Sequence, residues 1–141
     1  MDNIVTFSFK NGNNTESCTI DFKNRKIILK RHGFRYSVNG LINMEFFFDD
    51  ITGIEKIRRK FFSNEKYLFI LNNKRLCATE NSNSAVTAFT LSKNDIKTAS
   101  SVMQRLAYEC KLSGIKKHKE INAIVEIYEY QHSPDLIGQI P

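Results

Sequence analysis

Arg58-Arg59-Lys60-Phe61-Phe62 sets three cations against two adjacent aromatics. Strand alternation cannot bury both phenylalanines on one face, so one ring is free to act as an apolar wedge. Beside it, the cations would contact an anionic surface. Near an acidic leaflet each Lys or Arg contributes about 1 kcal/mol, which salt then screens. Stacking on unpaired bases would use the same parts. The same residues also fit a solvated charge run beside one core Phe. A second basic cluster, Lys26, Lys30, Arg31, His32 and Arg35, spans a strand and the loop after it. Alternation places Lys26 and Lys30 on one face, which a solvated outer sheet face also explains. Lys116, Lys117 and Lys119 form a third cluster, with the character of a linker.

Acid–base, nucleophilic and metal chemistry find no comparable pattern. Asp49 and Asp50 are adjacent, so on a strand they point to opposite faces and cannot share a proton. His32, His118 and His132 are dispersed in polar contexts without metal-ligand spacing. The chain lacks a Gly-rich phosphate loop, H-E-x-x-H and G-x-S-x-G. The expectation is a protein without catalytic residues, metal or cofactor.

The net charge of +6, from 21 Lys+Arg against 15 Asp+Glu, suits an anionic partner and also suits simple solubility. Cys18, Cys77 and Cys110 are odd in number and far apart, which reads as buried thiols in a reducing compartment. No apolar run approaches the ~20 residues of a membrane span, and the opening Met1-Asp2-Asn3-Ile4 has no signal-peptide character. A cytoplasmic location is expected.

Short strands must position these residues. Val5, Phe7 and Phe9 alternate with Thr6 and Ser8, and Asn11 to Asn14 turns the chain. Ser17 to Phe22 and Lys26 to Arg31 follow as strands, with a turn at Lys23-Asn24-Arg25. Met44, Phe46 and Phe48 face one way on the next strand, with Phe47 opposite and available for contact. Ile51, Ile54 and Ile57 mark a short piece kinked at Gly53. Asn72-Asn73 joins Tyr67–Leu71 to Lys74–Thr79 as a hairpin, and Ala85 to Leu91 is the last strand. A helix is predicted from Ser92 as N-cap to a stop at Gly114, with Ile96, Ala99, Met103, Leu106 and Cys110 as its apolar stripe. Beyond it, Ile121, Ile124, Val125 and Tyr128 have helical spacing, predicting a short second helix before a loose tail.

About seven antiparallel strands capped by one long amphipathic helix make a mainly β, α+β chain. This layout resembles the pleckstrin-homology-like (PH-like) barrel or sandwich, in its bacterial form. The resemblance rests on Ile20-Asp21-Phe22, the Lys26-to-Arg31 strand, Phe46 through Ile54, and Ala85-Val86-Thr87-Ala88-Phe89-Thr90 leading into the helix. It implies a PH-like domain over residues 1–113 with an extension over 114–141. It also implies a non-catalytic binding or adaptor module, with a protein partner expected at a sheet edge or beside the helix. Eukaryotic relatives bind phosphoinositides through Lys and Arg near the first hairpin, and Lys10, Lys23 and Arg25 carry a loose version of that spacing. The other expectations are weak binding of acidic lipid or single-stranded nucleic acid by the basic–aromatic stretch, and a homodimer through the extension. A small phage protein that inhibits a host factor would share these features.

Overall fold

The computed structural model describes residues 3–33, 41–59, 64–73, 87–120 and 123–129. The first four strands, β1 (Ile4–Asn11), β2 (Asn14–Asp21), β3 (Lys26–His32) and β4 (Leu41–Phe47), form one antiparallel sheet in the order β1-β2-β3-β4. Alternation decides its faces. Phe7, Cys18, Ile20, Ile27, Leu29 and Phe46 turn inward and are buried, while Thr6, Lys30 and Glu45 turn outward. The β2–β3 turn is fixed by Asp21, whose carboxylate accepts from the Asn24 backbone N–H at 3.0 Å and its amide at 2.8 Å. These bonds, the backbone one foremost, hold the Asp21 carboxyl below its ordinary range.

A 3-10 turn at Phe48–Asp50 carries the chain into the second sheet. That sheet contains β5 (Ile51–Arg59), β6 (Lys66–Leu71), β7 (Ala88–Thr90), β8 (Ser113–Glu120) and β9 (Ala123–Glu129), in the order β7-β6-β5-β9-β8. The fold is therefore mainly β, two antiparallel sheets with one helix, and the sheets do not close into a barrel. Gly53 marks a break in the β5–β6 register, as its kink implied, but β5 continues to Arg59 as a full strand. Asn72 and Asn73 both take left-handed backbone, φ 51° and 65°, which asparagine tolerates in tight turns. Their predicted partner strand at 74–79 lies outside the described residues.

The helix α1 (Ile96–Glu109), the one α-helix among the described residues, covers the space between the sheets with Ala99, Val102, Met103, Leu106 and Ala107. Beneath it lies an aromatic cluster. Phe89 stacks on Phe7, Tyr67 and Phe69 at centroid distances of 6.0, 5.8 and 6.0 Å. Phe46 meets Phe69 at 5.5 Å. With no Trp in the chain, stacked phenylalanines supply the core volume. Cys18 sits fully buried within it. Arg25 locks the helix end to the first sheet. Its guanidinium donates to the Glu109 carboxylate at 2.9 Å and to the Glu109 carbonyl at 3.1 Å, satisfying one of the free carbonyls of the last turn.

Both predicted helix ends move. Ser92 precedes a 3-10 turn at Lys93–Asp95, and its hydroxyl donates to the Ser8 carbonyl of β1 rather than capping α1. At the other end Lys111, not Gly114, ends the helix. It takes φ 59°, the Leu112 N–H donates to the Ala107 carbonyl at 2.8 Å, and the Lys111 N–H donates to Tyr108 at 3.0 Å. This is a Schellman cap closed by buried Leu112, with a lysine where glycine is usual.

The second helix is corrected to a hairpin, β8 and β9. The nine residues of β5 offered a sheet edge, and β9 pairs along it from Gly53↔Glu129 to Arg59↔Ala123. The register places Glu126 opposite Lys56 of β5 and Lys117 of β8. Val125, Ile127 and Tyr128 already favour a strand, and a waiting edge outweighs a short helical period.

Leu106→Asp buries an unpaired charge beneath α1 and should cost about 4 kcal/mol or more, so the cooperative melt disappears in calorimetry. Lys111→Gly should relieve the left-handed strain at the cap. It is expected to stabilise by about 0.5–1 kcal/mol, a rise of about 3 °C in Tm.

Candidate functional site

Register on the first sheet assembles a surface that no single stretch of sequence contains. Ser8 pairs with Ser17, which pairs with Lys30. Lys10 pairs with Thr15, which pairs with His32. Alternation puts both rows on the outer face, and Ser8, Lys10, Thr15, Lys30 and His32 are exposed. Three hydroxyls and three basic side chains thus stand within two adjacent rows. They border a cleft of about 710 Å³, lined also by Phe9, Glu16, Arg31 and Ser92.

The row between them, Phe9–Glu16–Arg31, faces inward. Glu16 and Arg31 are each only 8% exposed. The Arg31 guanidinium donates to the Ala88 carbonyl of β7, and its Nε lies 3.9 Å from Glu16 Oε1. Glu16 Oε1 in turn accepts the Thr90 N–H at 3.1 Å. The pair therefore fastens β2 and β3 to β7 directly behind the cleft. Glu16 is the one carboxylate lining the cleft among the described residues, and it is engaged with the scaffold. The field offered to a ligand is net cationic, from Lys10, Lys30 and the partly screened Arg31.

The sequence-predicted residues divide. Lys30 and Arg31 line the cleft, Lys30 open to solvent and Arg31 turned inward. Lys26 lies farther along β3, 3.5 Å from Glu45. Phe47 is 52% exposed at the end of β4, in register with Lys26 and opposite the core face as predicted. Arg58 and Arg59 form the end of β5. Arg58 Nε lies 3.7 Å from Glu65 Oε1, and Lys56 Nζ 3.8 Å from Glu65 Oε2, so part of that charge is neutralised within the sheet. Arg35, Lys60, Phe61 and Phe62 lie outside the described residues. Lys10 and Arg25, joined by the spacing argument, stand at opposite ends of the sheet, since β1 ends at Asn11 and Arg25 occupies the β2–β3 turn.

Ser8, Thr15 and Ser17 were missed as site residues. Their signal is strand register, and the alternation of β1 and β2 exposes it only once the turn between them fixes the pairing. Among the described residues no three His, Cys, Asp or Glu side chains gather as a metal site.

Glu16→Ala removes a partner from a buried guanidinium. It should destabilise the chain by about 3 kcal/mol, read as a lower midpoint in urea, whereas Lys30→Ala on the exposed side should stay within about 0.5 kcal/mol of the parent.

Comparison of the chain with protein-family models, with curated proteins and with solved structures finds no match.

Proposed function

We propose that this chain is a non-catalytic binding module of the PH-like kind, and that it recognises a protein partner presenting an acidic segment. The observation that carries this reading is the cationic cleft on the outer face of β1, β2 and β3, with Lys10, Lys30 and His32 beside Ser8, Thr15 and Ser17. Cations on neighbouring strands are held at fixed spacing, and hydroxyls between them donate to carboxylates. The buried Arg31–Glu16 pair keeps the floor of the cleft in place, so little ordering is needed on binding. The order of elements supports the PH-like assignment. Four strands, then β5 to β7, then one helix is the order that the resemblance implies, with the β8–β9 hairpin as an addition.

Acidic membrane and single-stranded nucleic acid share the ligand's charge but not its form, and they serve as competing probes. Fluorescence anisotropy with a labelled peptide alternating glutamate and valine, against oligothymidylate and against phosphatidylserine vesicles, compares them at low and high salt. The peptide should bind best. Lys10→Glu with Lys30→Glu should weaken it by about tenfold or more, with Tm nearly unchanged. Arg58→Glu with Arg59→Glu should leave it as it was. Preference for vesicles or oligonucleotide, lost in the Arg58/Arg59 variant, would move the function to the end of β5.

A further inference from the structure

The first sheet has two edges, β1 and β4, and β1 is the one that borders the cleft. Among the described residues, β7 at one edge of the second sheet is three residues long, and β8 at the other carries Lys116, Lys117 and Lys119. Short or lysine-rich edges discourage pairing with another chain. β1 has neither protection along its length. It runs unbulged through eight residues, from Ile4↔Asp21 to Asn11↔Asn14, without proline, and Lys10 is its one lysine. Among the described residues β1 pairs with β2 alone. Ile4, Thr6, Ser8 and Lys10 are exposed, Ile4 at 56%.

Two hydrogen bonds fix which backbone groups this edge presents. The Asn3 carbonyl accepts the Phe22 N–H, so odd-numbered positions face β2. The Ser8 carbonyl accepts the Ser92 hydroxyl at 2.9 Å from the other side. Even-numbered positions therefore direct N–H and C=O away from the sheet. Ser92 fills one acceptor site that a neighbouring strand would otherwise fill. The cleft begins at the same place, with Ser8, Lys10 and Ser92 in its wall.

We infer that the acidic segment of the partner adds to the first sheet as a fifth strand along β1, an inference that rests on the acidic-segment reading of the cleft. Its backbone pairs with Ile4, Thr6 and Ser8, displacing the Ser92 hydroxyl. Its carboxylates reach Lys10 and the cleft beyond. Strand addition supplies affinity through the main chain, and the cations select acidic side chains at alternate positions. Charge complementarity favours a partner over a second copy of this chain, because pairing β1 with β1 would bring two Lys10 side chains and two basic clefts onto one sheet.

Hydrogen exchange on the full chain, with the glutamate–valine peptide as probe, tests this. Binding should slow exchange about tenfold or more at the Thr6 and Ser8 amides, while Val5 and Phe7, already paired with β2, change little. Thr6→Pro removes one outward N–H and leaves the β2 ladder intact, so it should weaken the peptide about tenfold while the cooperative melt is kept. Methylating alternate peptide amides should abolish binding in one phase and spare it in the other, a readout independent of whether Thr6→Pro folds. Tight binding with unchanged Thr6 and Ser8 exchange, or indifference to amide methylation in both phases, overturns the inference and leaves the cleft reading standing. Protection of those amides without peptide, rising with protein concentration and lost in Thr6→Pro, identifies a second copy as the occupant and overturns it too. A parent chain that does not bind the peptide at low salt removes both readings.

Discussion

The architecture turns on one buried ion pair. Glu16 and Arg31 sit where the two sheets meet, and each reaches across to the backbone of β7. A buried pair of this kind is weak evidence for stability, since desolvation offsets much of the attraction. Its contribution is to position. Hydrophobic burial is non-directional, so two sheets held only by phenylalanine packing could slide by a residue with modest loss. Main-chain groups at Ala88 and Thr90 accept one register of Arg31 and Glu16, and so fix β7 against β2 and β3. The same two residues form the back of the cleft, which links the alignment of the core to the shape of the surface.

Around that joint the aromatic core takes the load. Phe89 lies on the short strand β7, yet it touches rings from both sheets, Phe7 on one side and Tyr67 and Phe69 on the other. A three-residue strand is a slight element by hydrogen bonding alone. Ring stacking and the anchoring of its backbone by Glu16 and Arg31 make it a central one. α1 then closes the open side of the sandwich, and Arg25 ties the end of that helix back to the β2–β3 turn.

Much of this was legible from residue alternation. The inward set Phe7, Cys18, Ile20, Ile27 and Leu29, and the helix stripe Ala99, Met103 and Leu106, follow from periods of two and 3.6. The helix ends did not. A serine with a hydroxyl to donate found a strand carbonyl eighty-four residues away, and a lysine took a conformation usually left to glycine. The last strands were hidden for another reason. Ile124, Val125 and Tyr128 satisfy a helical period as well as a strand's propensity, and the edge of β5 that decides between them lies more than sixty residues earlier. The candidate site was half visible. Lys30 and Arg31 stand out as cations, but their opposite destinations, one to solvent and one to the core, depend on which face of β3 meets β7. Ser8, Thr15 and Ser17 are ordinary strand residues until register places them beside lysines.

The thiols have a consequence for kinetics. Burial pushes the Cys18 thiol far above its ordinary range and Cys110 up to about 12, so neither carries appreciable thiolate at neutral pH. Cys18 faces Phe7 on one neighbour and Leu29 on the other, deep in the first sheet. An alkylating reagent can reach it only after β1, β2 and β3 have come apart. Its labelling rate therefore clocks the opening of the whole sandwich, while Cys110, half-buried just past the end of α1, clocks the fraying of the helix from its last turn. Among the described residues these two thiols are native timers, one for global unfolding and one for local, set in the same pair of packed layers.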